Sequence, residues 1–136
     1  MNNWIGGDGD RPNDNYKGGY GTRAPGSTVA RKLTQIRHPA PAQTWVMVDE
    51  RQDSINNGFF PIQMDGYPDP ATTYIVNYPA SYHSGAGGVA FADGHSEIHK
   101  WRDARTTPRI VESLPLTIPS PNNADVVWLQ DRSPHQ

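Results

Sequence analysis

Between positions 83 and 99 the chain gathers His83, Asp93, His95 and His99, the side-chain types that hold metal ions and carry protons. A helical zinc motif needs two histidines four apart on one helix face, and this stretch reads as strand instead. At roughly 3.3 Å per residue, His95 and His99 share a strand face but stand about 13 Å apart, too far to share one ion unless the strand bends. His83 can swing back toward Asp93 and hold the intervening turn. Hydrogen bonding is therefore the expected work of this group, ahead of metal binding or catalysis. Asp49, Glu50, Asp53 and Asp65 form a second set. Carboxylates near strand ends serve as acid and base in glycoside hydrolysis. With Asn56 and Asn57 they also offer the oxygen ligands that calcium prefers. The plainer reading is a solvated strand end and turn.

Other chemistry is thinly represented. Asp8-Gly9-Asp10 looks like the start of a calcium loop but lacks the later EF-hand positions, so a solvated turn is expected. No Gly-x-Ser-x-Gly elbow, phosphate loop or cysteine is present. Trp45, Tyr67, Tyr74, Tyr78, Tyr82, Trp101 and Trp128 could include a sugar-stacking platform. In a chain this poor in Leu and Ile they are better placed as core.

The elements that must position these residues centre on Val89–Trp101. Asp93-Gly94 lies between two strand-like runs, the sequence signature of a two-residue type I′ hairpin with positive φ at both central residues. That loop sets Ala92 opposite His95, Phe91 opposite Ser96 and Val89 opposite Ile98. Alternation then predicts Val89, Phe91 and Ile98 on the core face, with His95, Glu97, His99 and Trp101 on the other. Upstream, residues 1–26 are Gly-rich loop, pinned by Trp4-Ile5, Tyr16 and Tyr20. Ser27 caps a short helix carrying Val29, Leu33 and Ile36, ended by Pro39 and Pro41. Strands are expected over 44–48, 59–64 and 72–78, with a dense turn over 65–70. Residues 103–124 hold four prolines and should run extended over the surface; Asn123 then caps a last short helix through Val126–Leu129.

At 136 residues, 35% hydrophobic, with 13 Gly and 13 Pro, the chain reads as one α+β domain over 1–136. Its expected architecture is a small antiparallel β-sheet with long loops and one or two short helices. Four Trp, six Tyr and three Phe supply enough buried area for a folded core. A net charge of −2 without any basic cluster argues against a nucleic-acid surface. No apolar run suits a membrane span, and Met1-Asn2-Asn3-Trp4 does not open a signal peptide.

His83, Gly87-Gly88, Phe91 and Ala92-Asp93-Gly94-His95 together form a His-x9-Asp-Gly pattern. It resembles the C-terminal signature of the prepilin-like, pseudopilin-like proteins of planctomycete and verrucomicrobial bacteria. Met1-Asn2-Asn3 with Gly6-Gly7 resembles the Ser-Met-Asn segment of that family. Leu33-Thr34-Gln35-Ile36, Pro39 and Val46-Met47-Val48-Asp49-Glu50 resemble its helix-to-strand passage. The likeness covers most of 1–101 and continues into the tail from Asn122-Asn123 to Gln130. Two features depart from it. The family's N-terminal membrane helix is missing, so the chain reads as a truncated piece or gene fragment with Met1 internal. Val89 stands where an Asn commonly follows the glycines.

The resemblance implies the globular head of a pilin-like subunit, its sheet leaning on a helix, in a periplasmic or cell-surface setting. It implies other pilin-like subunits as partners, leaves calcium open in a C-terminal loop, and makes self-association plausible when the helix-docking groove is bare. The expected function is a non-enzymatic structural subunit of a type II secretion or type IV pilus-like assembly. The competing expectation is a polysaccharide-acting glycoside hydrolase or carbohydrate-binding module. Asp49, Glu50, Asp93 or Glu97 would be its acids, and an exposed Trp or Tyr its platform.

Overall fold

The chain reverses twice around one strand. The computed structural model describes residues 1–5, 30–56 and 58–135. Its strands are β1 (Trp45–Val48), β2 (Tyr74–Ile75), β3 (Ala86–Phe91), β4 (Ser96–Lys100) and β5 (Ile118–Pro119), followed by one helix, α1 (Ala124–Asp131). β1, β3 and β4 make an antiparallel sheet with β3 central, and β2 pairs with β5 in a second, two-stranded sheet. Short 3-10 turns at Leu33–Gln35, Pro41–Gln43 and Pro70–Thr72 complete an α+β fold. No helix among the described residues is long and apolar enough to cross a membrane.

The turn between β3 and β4 is not the expected type I′. Of its residues only Gly94 has positive φ, at 95°. The Gly94 N–H donates to the Phe91 carbonyl (3.0 Å) and the Phe91 N–H to the His95 carbonyl (2.9 Å). This is a three-residue loop, a type I turn closed by a left-handed glycine. Adding Ala92 to the loop slips the register by one: Ala90 faces Ser96, Val89 faces Glu97 and Gly88 faces Ile98. A one-residue slip turns every side chain of a strand to the opposite face. Ile98 is accordingly 63% exposed, against expectation. His95, Glu97, His99 and Trp101 share the face of Val89 and Phe91, and Trp101 is buried there.

A bulge between Trp45 and Met47 lets both Trp45 and Val48 reach the buried side of β1. The core on that side joins Trp4, Trp45, Phe60, Ile62, Met64, Val89, Phe91, Trp101 and Leu129. Each indole N–H in it meets a carbonyl: Trp4 with Ile62 (2.8 Å), Trp45 with Leu129 (3.0 Å), Trp101 with Ala80 (2.9 Å). A buried indole needs such a partner. Of the aromatics expected as core, Trp45, Tyr78 and Trp101 are buried and Tyr67 and Trp128 pack partly buried against it, whereas Tyr74 is half-buried and Tyr82 is exposed. The outer face of the sheet stays open, with Met47 57% exposed and Ile98 flanking the small residues Gly88 and Ala90.

Other segments differ from expectation in instructive ways. Over 59–64 Phe60, Ile62 and Met64 are buried at strand period. Pro61 has no N–H to give, however, and only a parallel bridge from Asn2 to Phe60 forms. Strand pairing over 72–78 is confined to Tyr74–Ile75. Of the helix expected from Ser27, residues 27–29 lie outside the described residues. Its later part is a 3-10 turn at Leu33–Gln35, with the Gln35 side chain accepting from the Arg31 and Lys32 N–H groups and Leu33 exposed. The Asp8-Gly9-Asp10 loop, Asp14, Tyr16 and Tyr20 also lie outside the described residues.

Asn123 caps α1 as expected, its Oδ1 accepting from the Asp125 and Val126 N–H groups. The two extremes of the described chain meet on β1. The Asn2 N–H donates to the Val46 carbonyl, and the Asn2 amide donates to the Trp45 carbonyl and to Ser133 Oγ. The Trp45 N–H donates to the Arg132 carbonyl.

Candidate functional site

His83 and Asp93, the two ends of the signature, mark the two turns that bound β3. His83 and Ala86 exchange both main-chain bonds (3.2 and 3.1 Å) around Ser84 and Gly85, whose φ values are 54° and 81°. Two positive φ values in a two-residue loop define a type I′ turn, so that turn sits here rather than at Asp93-Gly94. Six residues of β3 separate the two turns, about 20 Å of strand. His83 is exposed and does not reach Asp93, against expectation. His95 holds the turn instead: its N–H and its Nδ1 both bond Asp93 Oδ1 (3.1 and 2.5 Å). Those bonds keep the Asp93 carboxyl below its ordinary range.

Gly87 and Gly88 each answer a close approach. A Cβ on Gly87 would lie 2.3 Å from the Ala80 carbonyl oxygen, the same oxygen that accepts the Trp101 indole. A Cβ on Gly88 would lie 2.7 Å from Asp49 Oδ2, which accepts the Gly88 N–H.

The slipped register brings the titratable face of β4 against α1. The His95 ring stacks on Phe91, 4.3 Å between centroids, and the His99 ring stacks on Trp128 at 3.8 Å. The Arg132 guanidinium lies 4.3 Å from the centroid of Trp128. His99 and Arg132 thus both lie against the Trp128 ring, over surface that a stacking sugar would need. Glu97 stands 3.5 Å from His99 Nδ1. Burial pushes the His99 imidazole below its ordinary value, with Glu97 and Asp125 opposing that shift. Asp125, buried, accepts the N–H groups of Arg102 and Asp103 at 2.9–3.1 Å and ties α1 to the end of β4. Arg132 and Asp125 escaped the sequence reading. The available signal was their spacing around Trp128 on a helix whose cap, Asn123, was legible.

The structure does not bring Asp49, Glu50, Asp93 and Glu97 together. Asp49 lies over Gly88 on the open face of the sheet, while Glu97 projects from the opposite face. Glu50 is partly buried; its Oε1 accepts from Ser54 Oγ (2.8 Å) and Asn77 Nδ2 (2.5 Å). Asn77 Nδ2 also reaches the Ser54 carbonyl and Asn56 Oδ1 (both 3.5 Å), so an amide occupies the centre of these oxygens. Asn57 lies outside the described residues. Asp53 is committed to Arg51 (2.7 Å) in the interior, not solvated as expected, and Gln63 donates to Asp65. Among the described residues no group of three or more His, Asp or Glu side chains could hold a metal ion.

Desolvation raises the Glu50 carboxyl above its ordinary value. A raised value means the burden is absent below the unfolded value of 4.5 and is imposed as pH rises through the folded one. Glu50→Gln keeps an acceptor for Ser54 and Asn77 and removes the charge. It should melt at or above the parent temperature at pH 7, with the difference shrinking toward pH 4. A loss of more than about 5 °C at pH 7 would contradict this account.

These features define a small α+β protein whose signature residues build turns and close approaches around one strand. No family model matches the chain, and searches of curated proteins and of solved structures return no significant match.

Proposed function

We propose that this chain is a non-enzymatic structural subunit: the globular head of a pilin-like protein in a type II secretion or type IV pilus-like assembly, working in the periplasm or at the cell surface. The observation that carries this reading is the half-covered sheet. One face of β1-β3-β4 packs on the core. The other presents exposed Met47 and Ile98 on either side of Gly88 and Ala90, with the Asp49 carboxylate lying over Gly88. Exposed apolar side chains grouped on an uncovered sheet face mark interaction sites, and Met47 and Ile98 suit the apolar side of a helix supplied by the assembly. The ordered signature supports the same reading, since His95, Asp93, Gly87 and Gly88 all serve the hairpin rather than a substrate.

The test is an amide-shift titration with a synthetic apolar single-span helix in detergent micelles. Shifts should concentrate at Met47, Gly88 and Ala90, be absent with empty micelles, and be lost in Met47→Asp. Shifts confined to other surfaces, or equal shifts with empty micelles, would remove the reading. Release of reducing ends from a glycan panel, abolished by Glu50→Gln or Glu97→Gln, would favour the polysaccharide-acting alternative in its place.

A further inference from the structure

The three-stranded sheet ends at β4, and the phase of its ladder fixes which peptide groups face outward. The Phe91 N–H donates to the His95 carbonyl and the Trp101 N–H to the Gly85 carbonyl. Antiparallel bonding alternates, so Glu97 and His99 point their peptide groups at β3 while Ser96, Ile98 and Lys100 point theirs away. Among the described residues nothing bonds those outward groups.

Free edges are ordinarily blunted by a proline, a bulge or a lysine laid across them. β4 has neither proline nor bulge. Its one lysine, Lys100, turns back to donate to the Ser84 carbonyl in the preceding turn.

The strand is also its own complement. Two copies of Ser96-Glu97-Ile98-His99-Lys100 laid antiparallel about a two-fold axis at Ile98 set Ser96 opposite Lys100 and Glu97 opposite His99. Every outward peptide group then falls in a hydrogen-bonded pair. Glu97 and His99 fall in the closer, non-hydrogen-bonded pairs, carboxylate against imidazole on both sides of the axis. Centring the axis on Glu97 would oppose two carboxylates. Centring it on His99 would oppose two imidazoles and leave Glu97 against Trp101.

We propose that the protein forms a two-fold homodimer by pairing β4 with β4 of a second copy, making a continuous sheet in the order β1-β3-β4-β4-β3-β1. This pairing does not depend on the pilin-like reading, and its occupant is a second copy of the chain rather than a helix.

The chain has no cysteine, so introduced thiols report the pairing directly. In Ile98→Cys the two Cα atoms stand about 5.5 Å apart across the axis, within disulfide range. In Glu97→Cys they lie diagonally, beyond about 7 Å. Oxidised Ile98→Cys should run as a covalent dimer and Glu97→Cys as a monomer. In sedimentation the parent should show a concentration-dependent dimer. Ile98→Lys, at an exposed position, should lose that dimer with its melting temperature kept. Met47→Lys, on the same sheet face but in β1, should retain it. A parent that stays monomeric at its highest soluble concentration overturns the proposal. So does a dimer indifferent to Ile98→Lys, or equal cross-linking of the two cysteine variants.

Discussion

Asp53→Ala should lower the free energy of unfolding by about 3–5 kcal/mol, the usual cost of stranding one partner of a buried ion pair. Arg51 is fully buried; its Nε and Nη2 grip both oxygens of Asp53, at 2.9 and 2.7 Å. The same guanidinium donates to the Pro108 and Arg109 carbonyls (2.6 and 3.1 Å). Asp53 in turn accepts the Val111 N–H on its carboxylate and the Leu114 N–H on its carbonyl. This clamp is what lays the proline-rich segment against the body: 103–124 was expected as extended surface, and its Leu114 is tucked into the smaller core cluster. The Arg51 bonds hold the Asp53 carboxyl below its ordinary range. Its contribution is therefore complete above the unfolded value of 3.8 and is lost as pH falls through the folded one. Urea unfolding followed by tryptophan fluorescence, repeated down to pH 3, checks both points. A loss under about 1 kcal/mol at pH 7 would show that the clamp is replaceable.

Gly87→Ala should be the most damaging of the hairpin glycine substitutions, at about 1–3 kcal/mol. The added carbon would sit 2.3 Å from a main-chain oxygen, which cannot rotate away, and 3.4 Å from Trp101 Nε1. Relief requires β3 to move from Ala80, and that movement breaks the bond holding Trp101. Gly88→Ala meets only a carboxylate oxygen at the end of a side chain, so it should cost less. Gly94→Ala meets nothing and carries only the left-handed backbone penalty, about 1 kcal/mol. Melting temperatures of the three variants, with the Trp101 indole proton resonance as a local reporter, give the ranking. Gly87→Ala melting with the parent and an unmoved indole signal would sink it.

The hairpin shows where the sequence was legible and where it stopped. Its position, its strands and the need for glycine at Gly94 could all be read from residues 89–101. The face of β4 could not be read from Ala92-Asp93-Gly94, because Asp-Gly serves two-residue and three-residue loops alike. Trp101 and Ile98 have opposite parity on β4, so one of them had to be exposed. The indole, with more area to bury and a carbonyl to meet, took the inside. Weighing that parity would have corrected the register. The strands expected at 59–64 and 72–78 are absent or shorter because β-branched and aromatic residues also fill buried irregular chain. Pro61 cannot donate to a ladder, and beyond Ile75 the second run makes only an isolated bridge, Glu50 with Pro79. The carboxylates near the end of β1 were legible as a group, but their separate fates depended on Asn77, Gly88 and the 108–111 main chain. None of these is near them in sequence.

The meeting of Asn2, Trp45 and Ser133 has a kinetic consequence. The outer edge of β1 is closed by residues from the start and the finish of the described chain, bonded across 131 positions. During synthesis that strand emerges well ahead of Arg132 and Ser133. Asn2 is already at hand for the Val46 and Trp45 carbonyls, but the Trp45 N–H waits for its partner until Arg132 too has left the ribosome. Closure so distant in sequence makes folding slow for a body of this size, and leaves the nascent protein dependent on the residues around Ser133 to become native.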